Sequence, residues 1–233
     1  SDTAAAADIA AALQAEDLPN ARVATVAVRA LLDDDRAEAA ILLGNAALAA
    51  SHDAPALRAS LGLAHLRRAT EDDRKIHALA HFEAGLQAAP ADVRLLTLYG
   101  ETLLRAGRYK DAVAPLRQAI DLAPDLEQTQ GLYARALRYT LQYQEAADQL
   151  LRLVEKSPDK TLWQRAAIGA LSQAGRKPEA EALFERYVAQ RGQKLPPTFQ
   201  QALDELDQKL DSAPIPQARL DWAWSLRGDA TAD

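Results

Sequence analysis

A 34-residue step runs through the middle of this chain and restricts its fold more than any other feature. Pro90, Pro124 and Pro158 are each 34 residues apart. The same step relates Ala78, Ala112, Ala146 and Ala180, then Phe82, Leu116, Leu150 and Phe184, then Leu103, Leu137 and Leu171. Tyr99 pairs with Tyr133, Tyr109 with Tyr143, and, two steps apart, Gly107 with Gly175. Several columns held in one register mean a unit copied along the chain, each copy burying its apolar side against the next.

The copy from Val93 to Leu126 shows how the unit works. Leu96, Tyr99, Gly100 and Leu103 recur at helical spacing on one face of a first helix. Gly107 then ends that helix, because glycine accepts the left-handed backbone a helix terminus requires. Ala112, Leu116 and Ala119 give a second helix its apolar stripe. Small residues at Gly100, Ala112 and Ala119 allow the two helices to approach closely. Pro124 stops the second helix, since it has no N–H and its ring clashes with the preceding turn.

These columns resemble the tetratricopeptide repeat family, and the resemblance covers residues 20–194. It implies an all-α fold, a right-handed superhelical solenoid of helix–turn–helix repeats at 20–53, 54–92, 93–126, 127–160 and 161–194. In the last copy Ile168 and Tyr187 replace small residues. The second copy holds about four extra residues, expected in an acidic loop near Thr70 to Lys75. Solenoids need caps at both ends. Residues 1–19 are expected to supply one, an Ala-rich helix with Ile9 and Leu13 on one side. Residues 195–212 supply the other, with Phe199, Leu203, Leu206 and Leu210 as its stripe. Residues 213–233 read as a Pro-containing linker and a Trp-containing tail. In that tail Leu220, Trp222, Trp224 and Leu226 fit a helix packed on the cap, an extended docking segment, or the start of another domain.

Composition agrees with helices. The 233 residues include 52 Ala and 36 Leu against only 13 Val plus Ile, which leaves little from which to build a sheet. The absence of Cys excludes a disulfide framework and a cysteine nucleophile. Net charge is −6 but uneven: residues 1–90 carry −5, 91–194 carry +3 and 195–233 carry −4. Overall acidity argues against nucleic-acid binding, which rests on many phosphate contacts. No apolar run reaches membrane-spanning length. Zero Cys and zero Met suit an oxidising compartment, so a periplasmic location is favoured over a cytoplasmic one. The first residue is Ser, which suggests a removed leader, tag or neighbouring domain.

Residues that could carry chemistry are few. His77 and His81 are four apart on one predicted helix, with Asp73 a turn earlier, and could form a metal face. Ala78 stands where a zinc-protease motif needs Glu, and the pair borders the packing column, so ordinary surface or half-buried histidines are the expectation. His65 falls near a Leu column and is expected in the core. Ser51-His52-Asp53 has the letters of a catalytic triad, but adjacent residues cannot hand a proton along a line. The acid runs Asp33-Asp34-Asp35 and Glu71-Asp72-Asp73 are expected in turns or at helix starts. No phosphate loop, dinucleotide fingerprint or zinc-ligand set occurs. The chain is therefore expected to be no enzyme, with no metal and no cofactor.

In the tetratricopeptide family the first helices line a groove that holds a partner's peptide or helix. The family's pattern places the groove at the second, fifth, ninth, twelfth and thirteenth sites of each repeat. In the third copy these are Arg94, Thr97, Glu101, Leu104 and Arg105. In the fourth they are Gln128, Gly131, Arg135, Arg138 and Tyr139, and in the fifth Leu162, Arg165, Gly169, Ser172 and Gln173. Five arginines and one acid would then face a partner, with Gly131 and Gly169 leaving room for its backbone. The co-chaperones that hold the acidic C-terminus of heat-shock proteins use a Lys/Asn set at such sites. Thr97, Glu101 and Gly131 stand there instead, so that clamp is absent. In the first two copies the matching sites are mostly apolar (Ala21, Ala24, Val28, Leu31, Leu32, Ala56, Ala59, Leu63 and Leu66) and are expected to be covered by the N-terminal helix, a second subunit or an apolar partner helix.

The expected function is a protein–protein interaction scaffold for an acidic partner in a bacterial envelope or secretion assembly. The alternative is a docking or regulatory domain of a longer enzyme or transporter. Self-association is expected through the N-terminal half or the Trp222/Trp224 tail.

Overall fold

The computed structural model describes residues 20–67 and 71–191. Among them the chain forms ten α-helices and no strand: α1 Ala21–Asp33, α2 Ala37–Ala49, α3 Pro55–Arg67, α4 Glu71–Ala88, α5 Val93–Arg105, α6 Tyr109–Leu122, α7 Glu127–Tyr139, α8 Tyr143–Lys156, α9 Thr161–Gln173 and α10 Lys177–Arg191. The expected caps at 1–19 and 195–212, and the linker and tail at 213–233, lie outside the described residues. The chain divides into two compact units, with the boundary between Thr129 and Gln130 inside α7.

In the first unit α1, α2 and α3 share one core. Val28 and Leu31 of α1, Ala40 and Ala47 of α2, and Leu57 and Leu61 of α3 are all fully enclosed in it. A second cluster joins Ala59 of α3 to Ala78 and Phe82 of α4 and to Leu95 of α5. Ala78 and Phe82 were expected as packing columns, but Val28, Leu31 and Ala59 were expected on a groove surface awaiting a cover, and the register there is shifted. Because α1 opens at Ala21, its apolar row moves one position along the repeat. Ala24, Val28, Leu31 and Leu32 become packing residues of the core rather than a surface awaiting a cover. Asn20 caps α1 by accepting from the N–H groups of Arg22 and Val23 at 3.0 and 3.1 Å. Asp92 does the same for α5 from Leu95. Such a cap is worth about 1 kcal/mol.

The extra residues of the second copy do not make a loop. Helix α4 has 18 residues where α6 has 14, and it begins at Glu71, so the insertion is one more turn of helix. Glu71, Asp72 and Asp73 are the first three residues of this helix. Asp33 and Asp34 lie instead at the end of α1, and Asp35 turns the chain with φ 58°.

In the second unit α8 packs on α9 and α9 on α10. Leu137, Leu150, Leu153, Ala167, Ala170, Leu171 and Ala180 are among its enclosed residues. Tyr133 donates to Glu145 at 2.7 Å, which ties α7 to α8.

Among the described residues, four turns between the two helices of a repeat pass through a left-handed residue: Asp35, Gly107, Leu141 and Gly175, with φ between 58° and 74°. Glycine and aspartate accept this readily, whereas leucine does not. Leu141 has its side chain 69% exposed, so packing does not repay the strain. Replacing Leu141 by Gly is expected to stabilise the protein by about 1 kcal/mol, read as a shift of the urea midpoint at unchanged slope.

Candidate functional site

Helix α7 presents Arg135, Arg138 and Tyr139 in its last two turns, and α9 presents Arg165, Gly169 and Gln173 at helical spacing opposite. Arg138 and Gln173 meet: the Nε–H of Arg138 donates to Gln173 Oε1 at 3.0 Å. Arg138 is only 5% exposed, and its Nη2 has no hydrogen-bond partner. Burial works against its charge and neighbouring Arg135 adds to this; Tyr139 and Tyr143 oppose it, and among the described residues no carboxylate does. Buried charges are normally paired, so a guanidinium held by one neutral amide is an incomplete arrangement. Arg135 lies over the ring of Tyr139, 5.6 Å from its centre, in a cation–π contact. Arg165 is half-buried one turn before Gly169.

The two glycines expected to make room behave differently. A Cβ at Gly131 would sit 2.5 Å from the Trp163 ring, so that space belongs to tryptophan and not to a ligand. The signal was a Trp one repeat downstream of a mid-helix Gly. At Gly169 the space is open, with only Arg138 Nη2 near, at 3.7 Å.

The candidates of the first unit are more fully occupied. Arg105 is paired with Glu101 at 2.5 Å one turn apart, which takes both from the set of free charges. Thr97 Oγ1 lies 2.8 Å from its own helix's Val93 carbonyl and 3.0 Å from Thr129 Oγ1. Leu104 is buried, and Arg94 is exposed.

Histidines gather elsewhere in the first unit. His65 is buried, as expected, and its ring stands 5.1 Å from that of His77 and 5.2 Å from that of His81. His77 and His81 were expected to share a face, but their meeting with His65 required knowing how α3 and α4 pack. Among the described residues no group of three or more potential ligands is placed to hold a metal. Asp53 is not part of a triad: both its oxygens accept from Arg58, at 2.9 and 2.7 Å. Arg58 in turn lies 3.5 Å from His81 Nδ1.

Burial lowers the pKa of His81 from 6.5 to about 4, helped by His65, Arg58 and His77, while Asp53 opposes the shift. The unfolded chain therefore takes up this proton first. Stability from the neutral ring is whole above pH 6.5 and is lost as pH falls towards 4. The melting temperature is expected to drop between pH 7.5 and 4.5 more steeply in the wild type than in His81→Leu, as followed by circular dichroism.

Comparison with known proteins sets this geometry in context. No family model matches the chain. It is 38% identical over 205 residues to the Vi polysaccharide export protein VexE of Salmonella typhi, covering 88% of this chain. The chain spans only 31% of that relative's length. Among solved structures it resembles YrrB, a TPR protein with an unusual peptide-binding site, with TM-score 0.66 and 17% identity, over 73% of this chain and 86% of YrrB. It also resembles MamA AMB-1, with TM-score 0.59 and 22% identity, over 70% of this chain and 94% of MamA. The fold is thus the all-α helical repeat of tetratricopeptide proteins.

Proposed function

We infer that this chain is a non-catalytic interaction module whose first-helix faces bind an acidic segment of a protein partner. The second unit provides the principal surface, through Arg135, Arg138, Tyr139 and Arg165. Arg94, Thr97, Glu101 and Arg105 form the weaker face of the first unit. The observation that carries this reading is the buried Arg138, a guanidinium without a carboxylate partner among the described residues. The ten groove sites of the fourth and fifth copies contain no acid at all, although the chain as a whole carries −6. A charge-assisted hydrogen bond contributes about 1.5–3 kcal/mol, so two or three sustain a micromolar interaction. YrrB's peptide-binding site supports a peptide as the class of ligand. The likeness to an export protein supports an assembly of the bacterial envelope, on its periplasmic side.

A second reading is favoured by one observation, that the chain matches under a third of VexE's length. In that case the repeats serve as the docking domain of a longer protein, and their partner includes its other domains.

Affinity capture from an envelope extract, with wild type beside Arg135→Glu/Arg138→Glu, tests the main reading. A partner held by the wild type is expected to fall at least tenfold in the double variant. Equal capture by both would remove the basic face from the function. The double variant should keep the wild-type circular dichroism spectrum, which separates lost binding from lost fold.

A further inference from the structure

Helix-interior glycine weakens a helix, so each one calls for a reason. Most have an evident one. At Gly44, Gly62, Gly100 and Gly131 a Cβ would fall 2.3 to 2.5 Å from a neighbouring side-chain carbon, and at Gly85 3.0 Å. Gly169 has none of this. It sits in the middle of α9, a Cβ there would meet one atom at an ordinary 3.7 Å, and that atom is Arg138 Nη2. Packing does not require glycine at this position, yet the helix is bare of side chain at the point that borders the unpartnered nitrogen.

Two independent observations therefore meet at one place. One is a buried donor without an acceptor. The other is a gap beside it that no packing contact explains. We propose that Arg138 and Gly169 form a carboxylate subsite, in which Nη2 of Arg138 binds a Glu or Asp side chain of an acidic protein segment passing over Gly169. This rests on the interaction reading above and narrows it to one contact.

The geometry sets what the subsite does. A carboxylate oxygen sits about 2.8 Å from a guanidinium nitrogen in a charge-assisted hydrogen bond. A Cβ at Gly169 would stand 3.7 Å from Nη2, close enough to crowd a carboxylate bound to that nitrogen. Nη2 is covered in the free protein, so the guanidinium must lift slightly as the ligand enters. Gln173 keeps Nε oriented meanwhile. Arg135, stacked on Tyr139, adds a second positive charge to the approach. No covalent step is involved.

The test exploits an unusual opposition. Alanine is the better helix former, so Gly169→Ala should leave the melting temperature equal or higher while obstructing the ligand. The probe is an end-blocked hexaglutamate peptide, titrated into the full chain labelled with ¹⁵N and followed at the Arg138 Nε–H signal. The wild type should show a saturable shift, Arg138→Gln should lose peptide binding, and Gly169→Ala should weaken it at least fivefold. An unmoved Arg138 signal, or a Gly169→Ala variant that binds like the wild type, would overturn the subsite. A shift given equally by inorganic phosphate would overturn its selectivity for carboxylate. If the captured partner is lost on charge reversal yet held by Gly169→Ala, the subsite fails while the interaction reading stands. If charge reversal has no effect on capture, that broader reading fails first.

Discussion

The architecture depends on how closely two helices can approach. Where Gly62 faces the Phe82 ring and Gly100 faces Leu116, a single methyl group on the glycine would overlap the partner's side chain. Dispersion attraction falls quickly with separation, so a pair held apart by that methyl would lose much of its contact. Every other element follows from this approach. The alanines at 78, 112, 146 and 180 are fully enclosed on the second helices, where a larger side chain would have to displace a neighbour. The left-handed turns return the chain at a tight angle, and the prolines end the second helix before it overruns its neighbour.

This explains why the fold could be read from the sequence. Close packing admits few residue types, so it leaves columns of Gly, Ala and Leu that persist when the rest of each copy drifts. The first copy shows the limit. Helix α1 is apolar at Ala21, Val23, Ala24, Val26, Ala27, Val28, Ala30, Leu31 and Leu32. A row so uniformly apolar fits adjacent registers almost equally well, and the sequence alone placed it one residue early. The structure decides by burying Val28 fully while leaving Val26 63% exposed.

The site was legible as a set of positions, and much less so as a set of interactions. That arginines stand at the candidate groove positions of α7 and α9 follows from the repeat. That Arg105 already has Glu101, that Trp163 occupies the space at Gly131, and that Arg138 has no acid beside it among the described residues depend on side-chain rotamers and on facing helices. Periodicity does not encode these. The meeting of His65 with His77 and His81 belongs to the same class, since it joins two helices whose relative rotation only packing sets.

The longer α4 shows how such an array tolerates insertion. Its additional residues precede Ala78, and the helix ends the same ten residues after that alanine as α6 does after Ala112. Growth by four residues is close to one full turn and lengthens the rod by about 6 Å. The chain therefore enters from nearly its former direction, and every contact downstream keeps its phase. Growth by two residues would bring the chain in on the opposite side of the rod. Length variation in repeats of this kind should thus come in whole turns, at the N-terminal ends of the second helices.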